Sequence, residues 1–138
     1  MITVKTEIKE LNLQELREVY RSVGWMKHDE EVIRTVFEAS THKVFAVKEG
    51  VVIGFARALS DGIFNAAIYD VVVHKQHQGE GIARLLLERI LDELKEVSCI
   101  HLISTTGNMS FYEKCGFKKL KTGMAIYQNQ QLAAEYLE

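Results

Sequence analysis

The stretch with the most chemistry in it runs Tyr69-Asp70-Val71-Val72-Val73-His74-Lys75-Gln76-His77-Gln78-Gly79-Glu80-Gly81-Ile82-Ala83. An apolar, β-type run enters a loop with two glycines, and the loop opens a long helical pattern. Glycine lets a backbone approach a ligand closely and take positive φ. The first amides of a helix lack intrahelical partners and point along the dipole. Together these features make a site for a phosphate or pyrophosphate. A Walker A loop needs Gly-Lys-Ser/Thr, which the segment lacks. A dinucleotide fingerprint needs a third glycine, where this chain has Arg84, and it follows the first strand of a parallel sheet. Here several antiparallel strands come first.

Other residues invite a chemical reading. Asp70 is an acid inside an apolar strand, on the side expected for Ile68 and Val72, where a carboxylate needs a partner. It is a base, direct or through water, an anchor for a substrate ammonium, or a structural acceptor. His74 and His77 lie three apart in a loop with no third ligand near, so no metal is expected. Cys115 has no base beside it in sequence and is not read as a nucleophile. Asp29, Glu30 and Glu31 read as a solvated helix start rather than a cation site.

The elements that must position these groups follow from periodicity. Ile2 to Ile8 alternates as an edge strand. Asn12 with Glu15 reads as a capping box for a helix carrying Leu13, Leu16, Val19 and Tyr20, ended by Gly24. Asp29 caps a second helix that turns Val32, Val36 and Phe37 inward. Lys43 to Lys48 and Val51 to Leu59 form a hairpin about Glu49-Gly50. After Ser60-Asp61-Gly62, Ala66 to Val73 is a third antiparallel strand. Gly79 to Val97 is a helix with Ile82, Leu85, Leu86, Ile90, Leu91 and Leu94 on its apolar stripe. Ile100 to Ser104 follows as a strand parallel to Ala66 to Val73. Asn108 to Lys114 is a short helix ended by Gly116. Phe117 with Gly123 to Gln128 reads as a last hairpin, and Leu132 to Leu137 as a helical tail.

The sum is an α+β fold: a mixed, mostly antiparallel sheet of six to seven strands with helices on both faces, in one domain over residues 1–138. Apolar residues are 47% and charged residues 26% of the 138, ordinary for a soluble domain. A net charge of −2 gives no pull toward nucleic acid or an anionic membrane. The N-terminal ten residues lack a signal-peptide h-region, no run is long enough to span a bilayer, and two scattered cysteines suggest no disulfide. The expected compartment is the cytoplasm.

Gln76-x-x-Gly79-x-Gly81 resembles the Q/R-x-x-G-x-G/A loop of the GNAT superfamily of acetyl-CoA-dependent N-acetyltransferases. Asn108-x-x-Phe111-Tyr112-Glu113-Lys114-Cys115-Gly116-Phe117 resembles that family's second signature, an asparagine followed by an aromatic pair and a Gly-Phe. The order of elements fits over essentially the whole chain. The resemblance implies that amides of Gln78, Gly79, Glu80, Gly81, Ile82 and Ala83 hold the CoA pyrophosphate. It implies that backbone groups of Val71 and Val73 pair with the pantetheine arm, and that Asn108 and Phe111 contact the arm; the reaction itself needs an oxyanion donor, for which a backbone amide at Val71 or Val72 is the candidate. It gives Tyr112 the role of general acid, facing the sulfur; the catalytic or amine-binding reading of Asp70 stands on its place in the strand. Trp25 resembles part of the acceptor-site loop of small bacterial members.

The implied reaction is direct attack of a primary amine on the thioester in a ternary complex, without a metal. The alternatives are a non-catalytic acyl-CoA-binding or regulatory domain, and an interaction domain with no ligand. The last strands often pair subunits in the family, so a homodimer stays open. The amine acceptor is not named by the sequence.

Overall fold

A computed structural model describes residues 1–138 and divides them into two compact units, Met1–Ile103 and Ser104–Glu138. The first unit contains β1 (Ile2–Lys5), α1 (Leu13–Ser22), α2 (Glu30–Ala39), β2 (His42–Lys48), β3 (Val51–Ser60), β4 (Asn65–Val73), α3 (Ile82–Glu93) and β5 (Cys99–Leu102). The second contains α4 (Met109–Lys114) and α5 (Gln130–Tyr136). The strand order is β1-β2-β3-β4-β5, antiparallel except for the parallel pair β4–β5. The mixed α+β reading therefore holds. No helix is long and apolar enough to cross a membrane.

Both faces of the sheet are covered, so β2 reads as an unbroken buried run, Val44-Phe45-Ala46-Val47. Phe45, Val47, Phe55 and Val72 join Leu16, Val19 and Tyr20 of α1 and Ile33 and Phe37 of α2 in one apolar cluster. Alternation turns Val44 and Ala46 to the other face, where α3 packs across β2, β3 and β4. The α3 residues that bury are Ile82, Leu86, Leu87 and Ile90, followed by Leu94 at its C-cap. Full burial of one such side chain contributes about 1.5–3 kcal/mol.

Several expectations are corrected. The sheet has five strands rather than six to seven, because residues 117–128 form none. That segment has the alternating pattern, but no strand pairing takes its backbone groups. Met124 and Ile126 are accordingly 96% and 87% exposed. On α2 the buried pair is Ile33 and Phe37, four apart, while Val32 faces water. On α3, Leu87 takes the inward place expected for Leu85, because the line Ile82-Leu86-Ile90 sets the stripe and Leu85 falls outside it. The Asn12–Glu15 box is not reciprocal. Asn12 accepts from the Gln14 amide, whereas Glu15 Oε1 reaches the Val52 amide on β3 at 3.0 Å.

Candidate active site

The middle of β4 is irregular. Arg57 on β3 faces Tyr69 and Phe55 faces Val72, so Asp70 and Val71 together oppose the single residue Ala56. This is a β-bulge, which re-aims the backbone of the longer strand. Asp70 takes φ +49, in the left-handed region that non-glycine residues seldom occupy. The inserted residue also resets the alternation. Val72 joins the α1–α2 cluster and the equally buried Ile68 does not, so Asp70 does not share one face with both.

Beyond the bulge, the backbone of β4 lacks a strand partner on one side. The pairing with β5 covers only Asn65 to Ile68. On the other side the His74 amide donates to the Ile53 carbonyl at 2.7 Å. Bonded and non-bonded pairs alternate in an antiparallel ladder, so Val73, opposite Gly54, turns its amide and carbonyl away from β3. The Gln78 side chain donates to that carbonyl at 3.1 Å.

The loop after β4 is fastened at its base. The Lys75 amide donates to Ser22 Oγ of α1 at 3.1 Å, and the Gln76 amide to His74 Nδ1 at 3.1 Å. A single 3-10 turn, Lys75–His77, leads to Gln78. Gly79 and Gly81 both stand at φ +82, and a Cβ at either would meet nothing within 4 Å. Gly81 is the N-cap of α3, with no capping side chain and no acid in the first turn. By contrast, α1, α2 and α5 are closed by the side chains of Asn12, Asp29 and Asn129. The first amides of α3 are thus left for an outside acceptor. Glu80 puts a carboxylate into this loop, and Lys48 Nζ and His77 Nδ1 each lie 3.8 Å from its oxygens. His74 and His77 pack edge to face at 6.1 Å.

The Asp70 carboxylate is fully engaged on one oxygen. Arg57 Nε donates to Oδ2 at 2.7 Å, and the Tyr20 hydroxyl donates to the same atom at 3.0 Å. The two ion-pair side chains are only 15% and 13% exposed. Arg57 also donates to Ser40 Oγ at 3.3 Å and lies 5.1 Å over the Tyr69 ring. Burial first, then the charge and hydrogen bond of Asp70, hold the Tyr20 phenol far above its ordinary pKa. Tyr20 is therefore a permanent donor. His28 stacks on Tyr20 at 4.0 Å, and its Nδ1 is buried without a hydrogen bond. Desolvation lowers the His28 pKa, with Asp70 opposing and Arg57 reinforcing the shift. Trp25 stacks on both rings at 5.7 Å and packs against the α1–α2 cluster.

The remaining signature residues lie in the second unit. Asn108 Nδ2 donates to Thr105 Oγ1 at 2.6 Å instead of capping α4. Tyr112 packs edge-on against Phe111 at 5.1 Å and Phe117 at 5.9 Å, and its carbonyl accepts from the amides of Cys115 and Phe117. Within the first unit, then, the structure gathers Asp70, Val71 to Val73 and the glycine loop along one strand and its exit. Within the second it gathers Phe111 and Tyr112 on one short helix, with Asn108 at its N-cap.

Sequence reasoning missed Arg57, Tyr20 and His28. The usable signal was a charged residue in each of two apolar strands joined by a tight turn, since buried charges occur in pairs.

A family model described as the acetyltransferase (GNAT) family matches residues 10–117. An uncharacterised N-acetyltransferase, ycf52, of Pyropia yezoensis is 34% identical over 122 residues, 84% of this chain and 70% of that protein. The chloroplastic serotonin N-acetyltransferase 2 of rice, Oryza sativa, is 35% identical over 130 residues, 88% of this chain and 65% of that protein. The solved structure of a GNAT-family acetyltransferase from Streptococcus pneumoniae superposes with a TM-score of 0.79 at 27% identity, covering 94% of this chain and 99% of that one. On these grounds the chain belongs to the GNAT family and is an N-acetyltransferase.

Proposed function

We propose that the protein transfers the acetyl group of acetyl-CoA to a primary amine by direct attack, in a ternary complex. The observation that carries this reading is the exit of β4. A strand edge without a partner runs into two left-handed glycines and then into an uncapped helix. A molecule with an extended amide-bearing arm and a diphosphate matches that sequence of features. The arm adds as a strand beside Val71, Val72 and Val73. The diphosphate takes the amides of Gln78 to Ala83, where no side chain crowds the glycines. The family match crosses from the first compact unit into the second, ending at residue 117, which supports one acetyltransferase domain over 1–138.

Chemistry assigns the remaining roles. An alkylammonium has a pKa of about 10.4, so the acceptor must lose a proton before it attacks. Both protein hydrogen bonds to Asp70 fall on Oδ2. Oδ1 is the oxygen left to meet the amine, directly or through water. The tetrahedral oxyanion needs a fixed donor, and an amide at the bulge, Val71 or Val72, supplies it. The departing thiolate, of pKa about 8.5 by analogy with cysteine, takes a proton from Tyr112. Asn108 and Phe111 hold the arm. Trp25 belongs to the acceptor side.

The rice relative is a serotonin N-acetyltransferase. Arylalkylamines therefore belong in the acceptor panel with aminoglycosides, polyamines, amino acids and peptide lysines. We place the protein in the cytoplasm, a reading in keeping with two free cysteines. Pairing of two chains through residues 117–128 is part of the reading, supported by the exposure of Met124 and Ile126.

The test is a thermal shift with CoA and acetyl-CoA, followed by thiol release against that panel. Stabilisation that grows with CoA concentration is expected by mass action, with turnover on at least one amine and a lower kcat in Tyr112→Phe. Stabilisation without turnover on any amine would favour a CoA-binding domain. No response at millimolar CoA would remove the assignment.

A further inference from the structure

We propose that Arg57 and Tyr20 are positioning residues for the cofactor edge. By gripping Asp70 from β3 and α1, they hold a left-handed residue in the middle of β4 and so set the direction in which Val71 presents its backbone. This rests on the reading of that edge as the acetyl-CoA site.

A non-glycine residue is disfavoured in the left-handed region, aspartate somewhat less than most. Such a conformation persists only where its surroundings over-determine it. Ala56, the one residue opposite the bulge, has a methyl group and cannot hold it. The carboxylate can, because it carries two hydrogen bonds from two different elements. Hydrogen bonds to a charged group are stronger than neutral ones, so the two together outweigh the strain of one residue.

Both donors are themselves fixed. Tyr20 is fully buried between the rings of His28 and Phe55, at 4.0 and 4.8 Å. Arg57 is held by Ser40 Oγ and by the Tyr69 ring. Ser40 is buried and donates its own hydroxyl to the Val36 carbonyl of α2. The chain α2–Ser40–Arg57–Asp70–Tyr20–α1 therefore spans the helical layer and clamps the strand where it changes direction.

Three variants test this: Asp70→Ala, Asp70→Gly and Tyr20→Phe. Two quantities are read on each: the CoA dissociation constant by calorimetry, and hydrogen exchange at the Val71 and Val73 amides without ligand. Glycine takes φ +49 without a Cβ penalty, so it restores the backbone but not the carboxylate. The expected result is CoA binding weakened about tenfold in Asp70→Ala, a difference of ~1.4 kcal/mol, and by less than half that factor in Asp70→Gly. Tyr20→Phe keeps the ring stack and is expected to weaken CoA about threefold, with faster exchange at Val71. Equal CoA affinity in the alanine and glycine variants overturns the proposal. If Asp70→Ala does not fold, a Tyr20→Phe protein with unchanged CoA affinity and unchanged exchange overturns it. Failure of the unmutated protein to bind CoA refutes the acetyltransferase reading instead, and the exchange data then still decide whether the clamp sets the bulge.

Discussion

Alanine at Gly81 separates two properties of the loop that are otherwise entangled, its conformation and its ligand. Gly81 stands at φ +82, ψ 10, and a Cβ there meets nothing within 4 Å. The folded chain thus has room for the methyl group, and only backbone strain opposes it, at about 1–2 kcal/mol. Unfolding of 138 residues carries an entropy of about 0.3 kcal/mol per kelvin. Tm should therefore fall by about 3–7 °C. Gly62, in the β3–β4 turn, has φ +81 and equally open surroundings. Gly62→Ala should lower Tm by a similar amount, which makes it the control.

The two variants part when CoA is added. If the amides after Gly79 and Gly81 bind a diphosphate, a shifted backbone loses at least one charge-assisted hydrogen bond, about 1.5–3 kcal/mol. CoA affinity should fall about tenfold or more in Gly81→Ala and in Gly79→Ala, and should not change in Gly62→Ala. Scanning calorimetry and CoA titration at one fixed ionic strength read both quantities. A Gly81→Ala protein that loses Tm like Gly62→Ala yet binds CoA as well as the parent would refute the placement of the diphosphate. An unchanged Tm in all three would refute the strain argument itself.

Three further outcomes follow from the same geometry. Gly54→Ala puts a Cβ 3.0 Å from the Val72 carbonyl oxygen and 3.3 Å from Val73 Cα. Backbone cannot yield there as a side chain can, so overpacking should lower stability by about 1–3 kcal/mol and weaken CoA binding, read by denaturant titration and calorimetry. Leu86→Ala empties a fully buried place under the sheet and should lose about 2–5 kcal/mol in a urea titration. The His28 pKa is lowered in the folded state, so below pH 6.5 the unfolded chain binds the extra proton and stability falls. Tm measured from pH 7.5 to 5.5 should drop less in His28→Phe, which keeps the stack on Tyr20 but cannot take a proton.

What the sequence made legible is what is written locally. The glycine pair and the helix behind it are adjacent in the chain, so their conformation can be read from Gly79, Gly81 and the period of Ile82, Leu86 and Ile90. The hairpin at Glu49-Gly50 and the turn at Asp61-Gly62 are legible for the same reason: both glycines take positive φ where a tight reversal needs it. Residues 117–128 show the limit. Their alternation is that of a strand, but a strand exists only where another backbone takes its hydrogen bonds, and local pattern cannot supply that neighbour.

The Asp70 site was half legible, and the missing half is a matter of register. An acid in an apolar strand announces that a partner exists, without saying which. Naming Arg57 requires knowing that β3 and β4 slip by one residue at Ala56, since a regular hairpin would set the side chains of positions 57 and 70 differently. Naming Tyr20 requires knowing that α1 crosses that same point of the sheet, fifty residues away in sequence. The bulge and the buried carboxylate explain one another. Without the extra residue the acid would not meet both donors, and without the donors a left-handed aspartate would relax toward regular strand geometry. That mutual dependence gives the sheet a built-in change of direction at the point where its edge loses β5 and meets the glycine loop.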